Sequence, residues 1–257
     1  MLVIAHRGNN KEKLENSFSA FDASVKCGAK RIELDVQLTR DGYPVINHDD
    51  HLLHTTGLNL FCSDLDKSEM KKIKLKNGEP VPFLEDVVEK YLPNIELNIE
   101  IKGSEVDSSK ATLKLIKNHP LRDRIVVSSF FPNPLIYFRD GGPDIKRACL
   151  IGDDELHWPY LGHRAPVIFM NDVNAQIIHP RFDMITENFM DQAKARDWKV
   201  YTWAPMIGED HIKENVWTML QSFDVDGHCT NYPTELVHWI KENADYEERI
   251  QKLGTKS

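Results

Sequence analysis

Short runs of apolar and β-branched residues recur eight times along the chain, and most are followed by a segment with helical spacing. The strand-like runs lie at 2–6, 30–38, 95–102, 124–130, 145–151, 174–180, 198–204 and 225–233. The helical segments lie at 16–27, 108–118, 182–196, 209–221 and 233–250, and the helices expected after the fourth and fifth runs carry the weakest signal. Eight strands that are each followed by a helix predict an α/β fold of the (β/α)8 TIM barrel type.

Residues 51–82 do not fit a strand–helix unit, and we expect them to form a small insertion in an early loop. No linker rich in Gly, Pro or Ser divides the chain, and 257 residues are a normal length for one α/β barrel. We therefore expect residues 1–257 to form a single barrel domain.

Two strand-like runs alternate between apolar and polar residues, although strands of a parallel sheet are usually apolar on both faces. In 31–37, "RIELDVQ", the apolar residues share one face and the charged residues the other. The run 95–102, "IELNIEIK", has the same pattern. Alternation is also typical of an antiparallel sheet with one solvated face. The recurring helices favour a barrel whose apolar strand faces meet the helices and whose polar faces point inside.

Charge and composition narrow the choice of partners. The net charge of −8 argues against nucleic acid or an anionic membrane as the main partner, and no run of about 18 apolar residues is present to span a membrane. The first residues lack the features of an export signal, and the four cysteines are scattered. We expect a cytoplasmic protein with reduced thiols and no zinc site.

Three carboxylates follow one another on the polar strand faces. Glu33 and Asp35 are two residues apart, so they point the same way with backbones about 7 Å apart, and Glu100 ends the next strand. Carboxylates this close repel unless a cation intervenes, and hard oxygen ligands suit Mg²⁺, Ca²⁺ or Mn²⁺. The alternative is a set of solvated residues or ion pairs with Arg31 and Lys102.

Two histidines and two cationic residues lie at the ends of the first strands. His6 ends the first strand and His48 follows the short strand-like run "YPVIN", so both are candidates for a general acid or base. Arg7 and Lys102 would counter negative charge on a substrate, and phosphate is the obvious anion. Such a set of residues is suited to metal-assisted cleavage of a phosphodiester.

At this point the sequence resembles the glycerophosphodiester phosphodiesterase family. The matching segments are "AHRG", "LENSFSAF", "GAKRIELDVQLTRDGYPVINHDDHL", "TTG", "VPFLEDV", "LNIEIK", "SSF", "ITENFMDQAKARDWKVYTW" and "DVDGHCTNYP". They cover nearly the whole chain in the family's order. Asn231 departs from the family, which often has Asp there, and such departures bear on substrate preference rather than on the class of reaction.

The resemblance implies a (β/α)8 barrel with a small insertion after strand two. It implies one divalent cation, Mg²⁺ or Ca²⁺ with Mn²⁺ as a further option, on the three carboxylates, and it makes the two histidines catalytic. Arg7 and Lys102 correspond to phosphate contacts, and Trp203 lines the glycerol pocket. Glu15 would orient the side chains that bind the metal or the substrate without touching either. The implied reaction is metal-dependent hydrolysis of a glycerophosphodiester to sn-glycerol 3-phosphate and an alcohol, by attack of the glycerol 2-hydroxyl and acid–base catalysis by two histidines.

The alternatives come from different classes of protein. A phospholipase-type phosphodiesterase acting on lysolipid or phosphoinositide head groups would share the barrel and the paired histidines. A non-catalytic barrel that only binds phosphodiesters has no reason to keep both histidines and all three carboxylates. The sequence leaves open the leaving alcohol, the preferred cation, the oligomeric state and which histidine is acid or base in each step.

Overall fold

Within residues 1–152, 165–204 and 212–254, which the computed structural model describes, eight parallel strands close into a barrel. The described residues contain nine strands, of which all but β3 form the barrel: β1 (Leu2–Ala5), β2 (Arg31–Leu38), β3 (Pro44–Ile46), β4 (Glu96–Ile101), β5 (Ile125–Ser129), β6 (Lys146–Ile151), β7 (Ile177–Pro180), β8 (Lys199–Trp203) and β9 (Gly227–Thr230). Their order around the barrel is β1-β9-β8-β7-β6-β5-β4-β2, and pairing of β2 with β1 closes it. The short β3 is the exception, because it pairs antiparallel with β2.

Helices connect the strands and cover the outside of the barrel. They are α1 (Phe18–Cys27), α2 (Leu53–Thr56), α3 (Lys67–Met70), α4 (Leu84–Tyr91), α5 (Asp107–Ile116), α6 (Pro132–Gly141), α7 (Ala165–Asp172), α8 (Glu187–Lys194), α9 (Lys213–Ser222) and α10 (Pro233–Gly254). The helices with the weakest sequence signal, α6 and α7, are present. Residues 209–211 of one predicted helix lie outside the described residues. The predicted (β/α)8 TIM barrel is confirmed.

The alternating strands divide their side chains between two environments. Ile32, Leu34 and Val36 of β2 belong to the main apolar core between the barrel and the helices. Glu33 and Asp35 lie on the opposite face and are buried inside the barrel. A second, smaller apolar cluster fills part of the barrel interior, and its buried members are Ile4, Val126, Ala148, Ile177, Tyr201 and Cys229. The prediction of polar strand faces directed inward is therefore confirmed for β2.

The segment between β2 and β4 has a small apolar core of its own. Short helices α2 and α3 pack around a cluster formed by Val45, Leu52, Cys62, Met70, Leu75, Val81 and Phe83. The segment contacts the barrel mouth through the exposed side chain of His54, whose Nε2 lies 3.7 Å from Glu15 Oε2. In the described part of the chain, no helix is both long and apolar enough to cross a membrane.

Candidate active site

A cavity of about 420 Å³ opens among the carboxyl ends of the barrel strands. Parallel strands end at the same side of a barrel, so residues distant in sequence meet there. The predicted site residues on its wall are His6, Arg7, Glu33, His48, Glu100, Lys102 and Trp203. The other two predicted residues, Asp35 and Glu15, are buried beside it and contact Arg7.

The three carboxylates form a compact buried cluster. One oxygen from each of Glu33, Asp35 and Glu100 lies within 4.8 Å of the others, a spacing at which a single ion could be held. Glu33 accepts a hydrogen bond from the backbone N–H of Arg7 at 2.8 Å through Oε2. Its other oxygen, Oε1, is buried and has no hydrogen-bond partner among the described residues. An unpaired buried carboxylate oxygen is costly, so this donor set fits a hard divalent cation.

The two carboxylates of β2 differ in their ionisation. Burial raises the pKa of Glu33 well above its usual value, and the charges of Asp35 and Glu100 raise it further. Burial acts in the same direction on Asp35, but Lys102 and Arg7 outweigh it, and the pKa of Asp35 falls below its usual value. Without a cation, Glu33 is therefore the carboxyl that takes up a proton more readily, and Asp35 is the one that keeps its charge.

The two cationic residues contact the carboxylates directly. Lys102 Nζ lies 2.9 Å from Asp35 Oδ1 and donates to Glu100 Oε1. Burial alone would lower the pKa of Lys102, but Asp35 and Glu100 raise it above its usual value, so the ammonium stays charged. The sequence analysis offered ion pairs with Arg31 and Lys102 as an alternative to a metal site. The pair with Lys102 is present, whereas Arg31 pairs with Glu96 and not with the three carboxylates.

Arg7 is held by both its backbone and its side chain. Its φ of 53° is left-handed, and the N–H that this conformation directs inward bonds to Glu33. The guanidinium donates to Glu15 Oε1 at 3.0 Å, and its Nε lies 3.4 Å from Asp35 Oδ2. Burial opposes the charge, but these carboxylates outweigh burial and raise the pKa of Arg7. Glu15 therefore orients the guanidinium at the edge of the cavity.

Gly8 explains why the chain can turn so sharply after Arg7. Its φ is +78°, and a Cβ at this position would lie 2.8 Å from the Cβ of Ala20 and 2.9 Å from its carbonyl carbon. Because α1 begins at Phe18 and packs this closely, only glycine fits without a shift of the helix.

His6 has a defined tautomer. Its Nδ1 lies 2.7 Å from Asn231 Oδ1, which also accepts from Asn10 Nδ2 at 2.7 Å. Since an amide oxygen accepts only, Nδ1 carries the proton and Nε2 is left as an acceptor. Burial, followed by the charge of Arg7, lowers the pKa of His6 to about 3. His6 is therefore neutral at physiological pH.

His48 lies at the rim of the same cavity, just after β3. About a third of its side chain is exposed, and its Nδ1 lies 2.7 Å from Asp49 Oδ1. The carboxylate accepts this hydrogen bond, so Nδ1 of His48 carries a proton. Gln37 holds the backbone by donating to the His48 carbonyl at 3.0 Å.

Trp203 forms part of the opposite, apolar wall. Its indole N–H donates to the carbonyl of Ile151 at 3.1 Å, which fixes the ring at the end of β8. The ring of Phe130 meets it edge to face, with centroids 5.8 Å apart. This wall suits an uncharged part of a ligand.

Sequence reasoning missed several residues of the site. Asn16 donates to Asp35 Oδ2 at 2.8 Å. Asn231, which the sequence linked only to substrate preference, instead contacts and orients His6. Asn98 and His179 line the cavity and carry buried acceptor atoms without partners among the described residues. Asn16 could have been found from its place beside Glu15 in the "LENS" segment. The contact between Asn231 and His6 spans 225 positions of sequence and has no local signal.

The fold and the cavity define a TIM-barrel protein with an enzyme-like site at the carboxyl face of its barrel. The model of the glycerophosphoryl diester phosphodiesterase family matches residues 6–235. A glycerophosphodiester phosphodiesterase from Caldanaerobacter subterraneus subsp. tengcongensis is 31% identical over 254 residues, which cover 95% of this chain and 99% of the relative.

Two solved structures show the same fold. An Oleispira antarctica phosphodiesterase in complex with the product sn-glycerol-3-phosphate is 24% identical, with a TM-score of 0.77 over 94% of this chain and 97% of the other. A glycerophosphodiester phosphodiesterase from Agrobacterium tumefaciens is 21% identical, with a TM-score of 0.78 over 93% of this chain and 99% of the other.

The chain belongs to the glycerophosphoryl diester phosphodiesterase family. The resemblance inferred from the sequence motifs, and with it the prediction of an enzyme of the phosphodiesterase class, is thereby confirmed.

Proposed function

We propose that this protein hydrolyses glycerophosphodiesters to sn-glycerol 3-phosphate and an alcohol, with one divalent cation and with His6 and His48 as acid–base catalysts. The observation that carries the proposal is the single cavity that joins the acidic cluster, both histidines, Arg7 and Lys102. Membership of the family supports the class of reaction.

Glu33, Asp35 and Glu100 would hold the cation, and the unpaired Oε1 of Glu33 supports this assignment. When bound, a divalent cation neutralises charge on phosphoryl oxygens and lowers the pKa of a nearby hydroxyl. The three oxygen donors suit Mg²⁺, Ca²⁺ or Mn²⁺.

Arg7 and Lys102 bind the phosphoryl oxygens from the edge of the cluster. Both side chains already bond to carboxylates, so they are oriented before substrate arrives and need little reorganisation. Trp203 packs against the uncharged part of the substrate on the opposite wall.

The two histidines divide the proton transfers. His6 enters the reaction neutral with Nε2 unprotonated, so it takes the proton of the glycerol 2-hydroxyl as that oxygen attacks phosphorus. His48, at the rim, takes up a proton from solvent on Nε2 and donates that proton to the departing alcohol. The roles reverse when water opens the resulting cyclic phosphate.

The test is incubation with glycerophosphocholine and glycerophosphoethanolamine, with and without chelator, followed by assay for glycerol 3-phosphate. We expect product only where a divalent cation is available, and a His48→Ala preparation measures any contaminating activity. Absence of product in every condition contradicts the hydrolysis, and full activity in excess chelator contradicts the metal dependence.

A second experiment addresses the nucleophile. A hydroxyl held next to phosphorus has an effective molarity of roughly 10⁵ M or more, which bound water does not match. We therefore expect the analogue of glycerophosphocholine without the 2-hydroxyl to react far more slowly than the natural diester. Equal rates would mean that water attacks phosphorus directly.

A further inference from the structure

His179, on β7, is a polar residue on the otherwise apolar side of the cavity. The charged residues of the site come from β1, β2 and β4 and from the loops that follow them. The opposite side is lined by Phe130, Leu150, Trp203, Ala204 and Cys229. The His179 side chain is only 1% exposed, yet its ring forms part of this wall.

The hydrogen bond of His179 determines its tautomer. Nε2 lies 3.3 Å from the backbone carbonyl of Thr202, which accepts only, so the ring proton is on Nε2. Nδ1 is therefore a lone-pair acceptor, and it has no partner among the described residues. Burial lowers the pKa of His179 to about 3, so the ring is neutral. Buried acceptors without a partner are rare in folded proteins, and this one belongs to a ring that lines the cavity, where a ligand can supply the donor.

A second cavity of about 410 Å³ adjoins the first and shares its central residues. The shared residues are His48, Glu100, Lys102, Phe130 and Trp203. The first cavity, which we call the inner chamber, reaches barrel-interior residues such as Asn98, His179 and Cys229. The second, the outer chamber, reaches loop residues such as Gly103 and Phe131.

A phosphodiester has two arms that leave phosphorus in different directions. With the phosphoryl group at the shared residues Glu100 and Lys102, one arm enters each chamber. The glycerol arm has a constant small size and suits the inner chamber, whose walls are barrel strands. The alcohol arm varies between substrates and suits the outer chamber, whose walls are loops.

We propose that His179 Nδ1 accepts a hydrogen bond from the terminal hydroxyl of the glycerol arm and so selects diesters in which this hydroxyl is free. The inference rests on the proposed function. The 2-hydroxyl attacks phosphorus and gives its proton to His6, so it is not available to His179. The terminal hydroxyl is then the donor that reaches further into the inner chamber. In a lysophospholipid that oxygen is acylated and has no proton to donate, so Nδ1 stays unpaired.

The test compares glycerophosphocholine with an analogue that has hydrogen in place of the terminal hydroxyl and keeps the 2-hydroxyl. We expect wild-type kcat/KM to favour the natural diester by roughly 10-fold to 100-fold. In His179→Leu this ratio should fall close to one, because the acceptor is gone. In His179→Asn, whose amide oxygen can accept, part of the ratio should remain. A wild-type ratio of one, or an unchanged ratio in His179→Leu, overturns the proposal.

The control variant is His228→Leu. His228 is as buried as His179, but it bonds to Thr202 Oγ1 at 2.8 Å and is not among the described residues that line the cavity. Its ratio should equal that of wild type whatever its total activity, and a ratio near one there overturns the assignment to His179. If His179→Leu does not fold, His179→Phe supplies an apolar ring for the same measurement.

Two outcomes separate this inference from the proposed function. If wild type hydrolyses neither substrate, the proposed function fails and the inference fails with it. If wild type hydrolyses both substrates at equal rates, the function stands and only the role of His179 is overturned. Lysophosphatidylcholine should react as poorly as the analogue, and turnover equal to that of glycerophosphocholine contradicts the selection.

Discussion

Neutralising Glu33 and neutralising Asp35 should have different effects on the stability of the metal-free protein, although the two residues lie on the same strand face. Glu33 has a raised pKa and forms no ion pair with a lysine or arginine side chain of the described residues. Glu33→Gln therefore replaces the carboxyl that loses its charge more readily with a neutral group of the same shape. Asp35 is ionised, accepts from Asn16 and pairs with Arg7 and Lys102.

The magnitude follows from the distances. Unit charges 2.9–3.4 Å apart, as in the two ion pairs of Asp35, attract by about 5 kcal/mol at an effective dielectric of about 20. Removing one partner of such a buried pair leaves the others uncompensated and costs about 3–5 kcal/mol. For a chain of this size, that lowers the midpoint of thermal unfolding by roughly 6–20 °C in Asp35→Asn. An isosteric change such as Glu33→Gln should cost less than about 1.5 kcal/mol.

The assay is thermal unfolding followed by circular dichroism at pH 7 in excess chelator, with wild type beside both variants. Chelator matters because a bound cation would stabilise wild type and obscure the comparison. A midpoint that Glu33→Gln lowers as much as Asp35→Asn does would refute the difference between the two carboxyls, since Glu33 would then be ionised and paired.

The pH dependence of the same samples gives an independent check. Glu33 has a raised pKa in the folded protein, so the folded state holds a proton that the unfolded chain releases, and stability falls as pH rises above about 4.5. Glu33→Gln should lack this decline. Asp35 has a lowered pKa, so its contribution is present above about 3.8 and is lost as pH falls below that value. A wild-type profile that rises between pH 5 and 7 while Glu33→Gln stays level would contradict the ionisation state of Glu33.

Three further predictions use independent measurements. Addition of Mg²⁺, Ca²⁺ or Mn²⁺ at 100 times Kd should stabilise chelator-treated wild type by about 2.7 kcal/mol and Glu33→Gln by less, as read from thermal shifts; no shift with any of these ions contradicts the metal site. His6→Ala and His48→Ala should each lower kcat roughly 10²-fold or more with an unchanged circular dichroism spectrum, and near-normal turnover removes that histidine from the mechanism. Gly8→Ala should cost about 1–3 kcal/mol in urea unfolding, because alanine is strained at φ +78° and its Cβ meets Ala20; unchanged stability contradicts the close packing.

The barrel could be predicted from sequence because each of its strands and helices has a pattern set by neighbouring residues. In strands such as β2, apolar and polar residues alternate with period two, and in helices such as α8 apolar residues repeat with a period near 3.6. Each element can therefore be recognised within about ten residues. Boundaries were less accurate, since predicted strand 174–180 begins at Ile177. The helices α2 and α3 are too short to show a periodic pattern, and α3 depends on its cap at Asp66.

Much of the candidate site was also predictable, for a related reason. Residues two apart on a strand share a face, so Glu33 with Asp35, and Glu100 with Lys102, could be placed together from spacing. The contacts that orient them could not be predicted. Arg7 contacts Glu15 and Asp35 from a left-handed backbone conformation, and the glycine that follows it packs against α1.

The sequence by itself determined the fold class, the family and which residue types end the barrel strands, because strand periodicity and motif order are properties of neighbouring residues. Only the tertiary structure decided that the pKa of Glu33 is raised while that of Asp35 is lowered, and that Asn231 sets the tautomer of His6. It also decided that His179, which lines the cavity, has a buried acceptor without a partner among the described residues. Burial and Coulomb interactions depend on distances between atoms that are far apart in sequence, and those distances exist only once the barrel has closed.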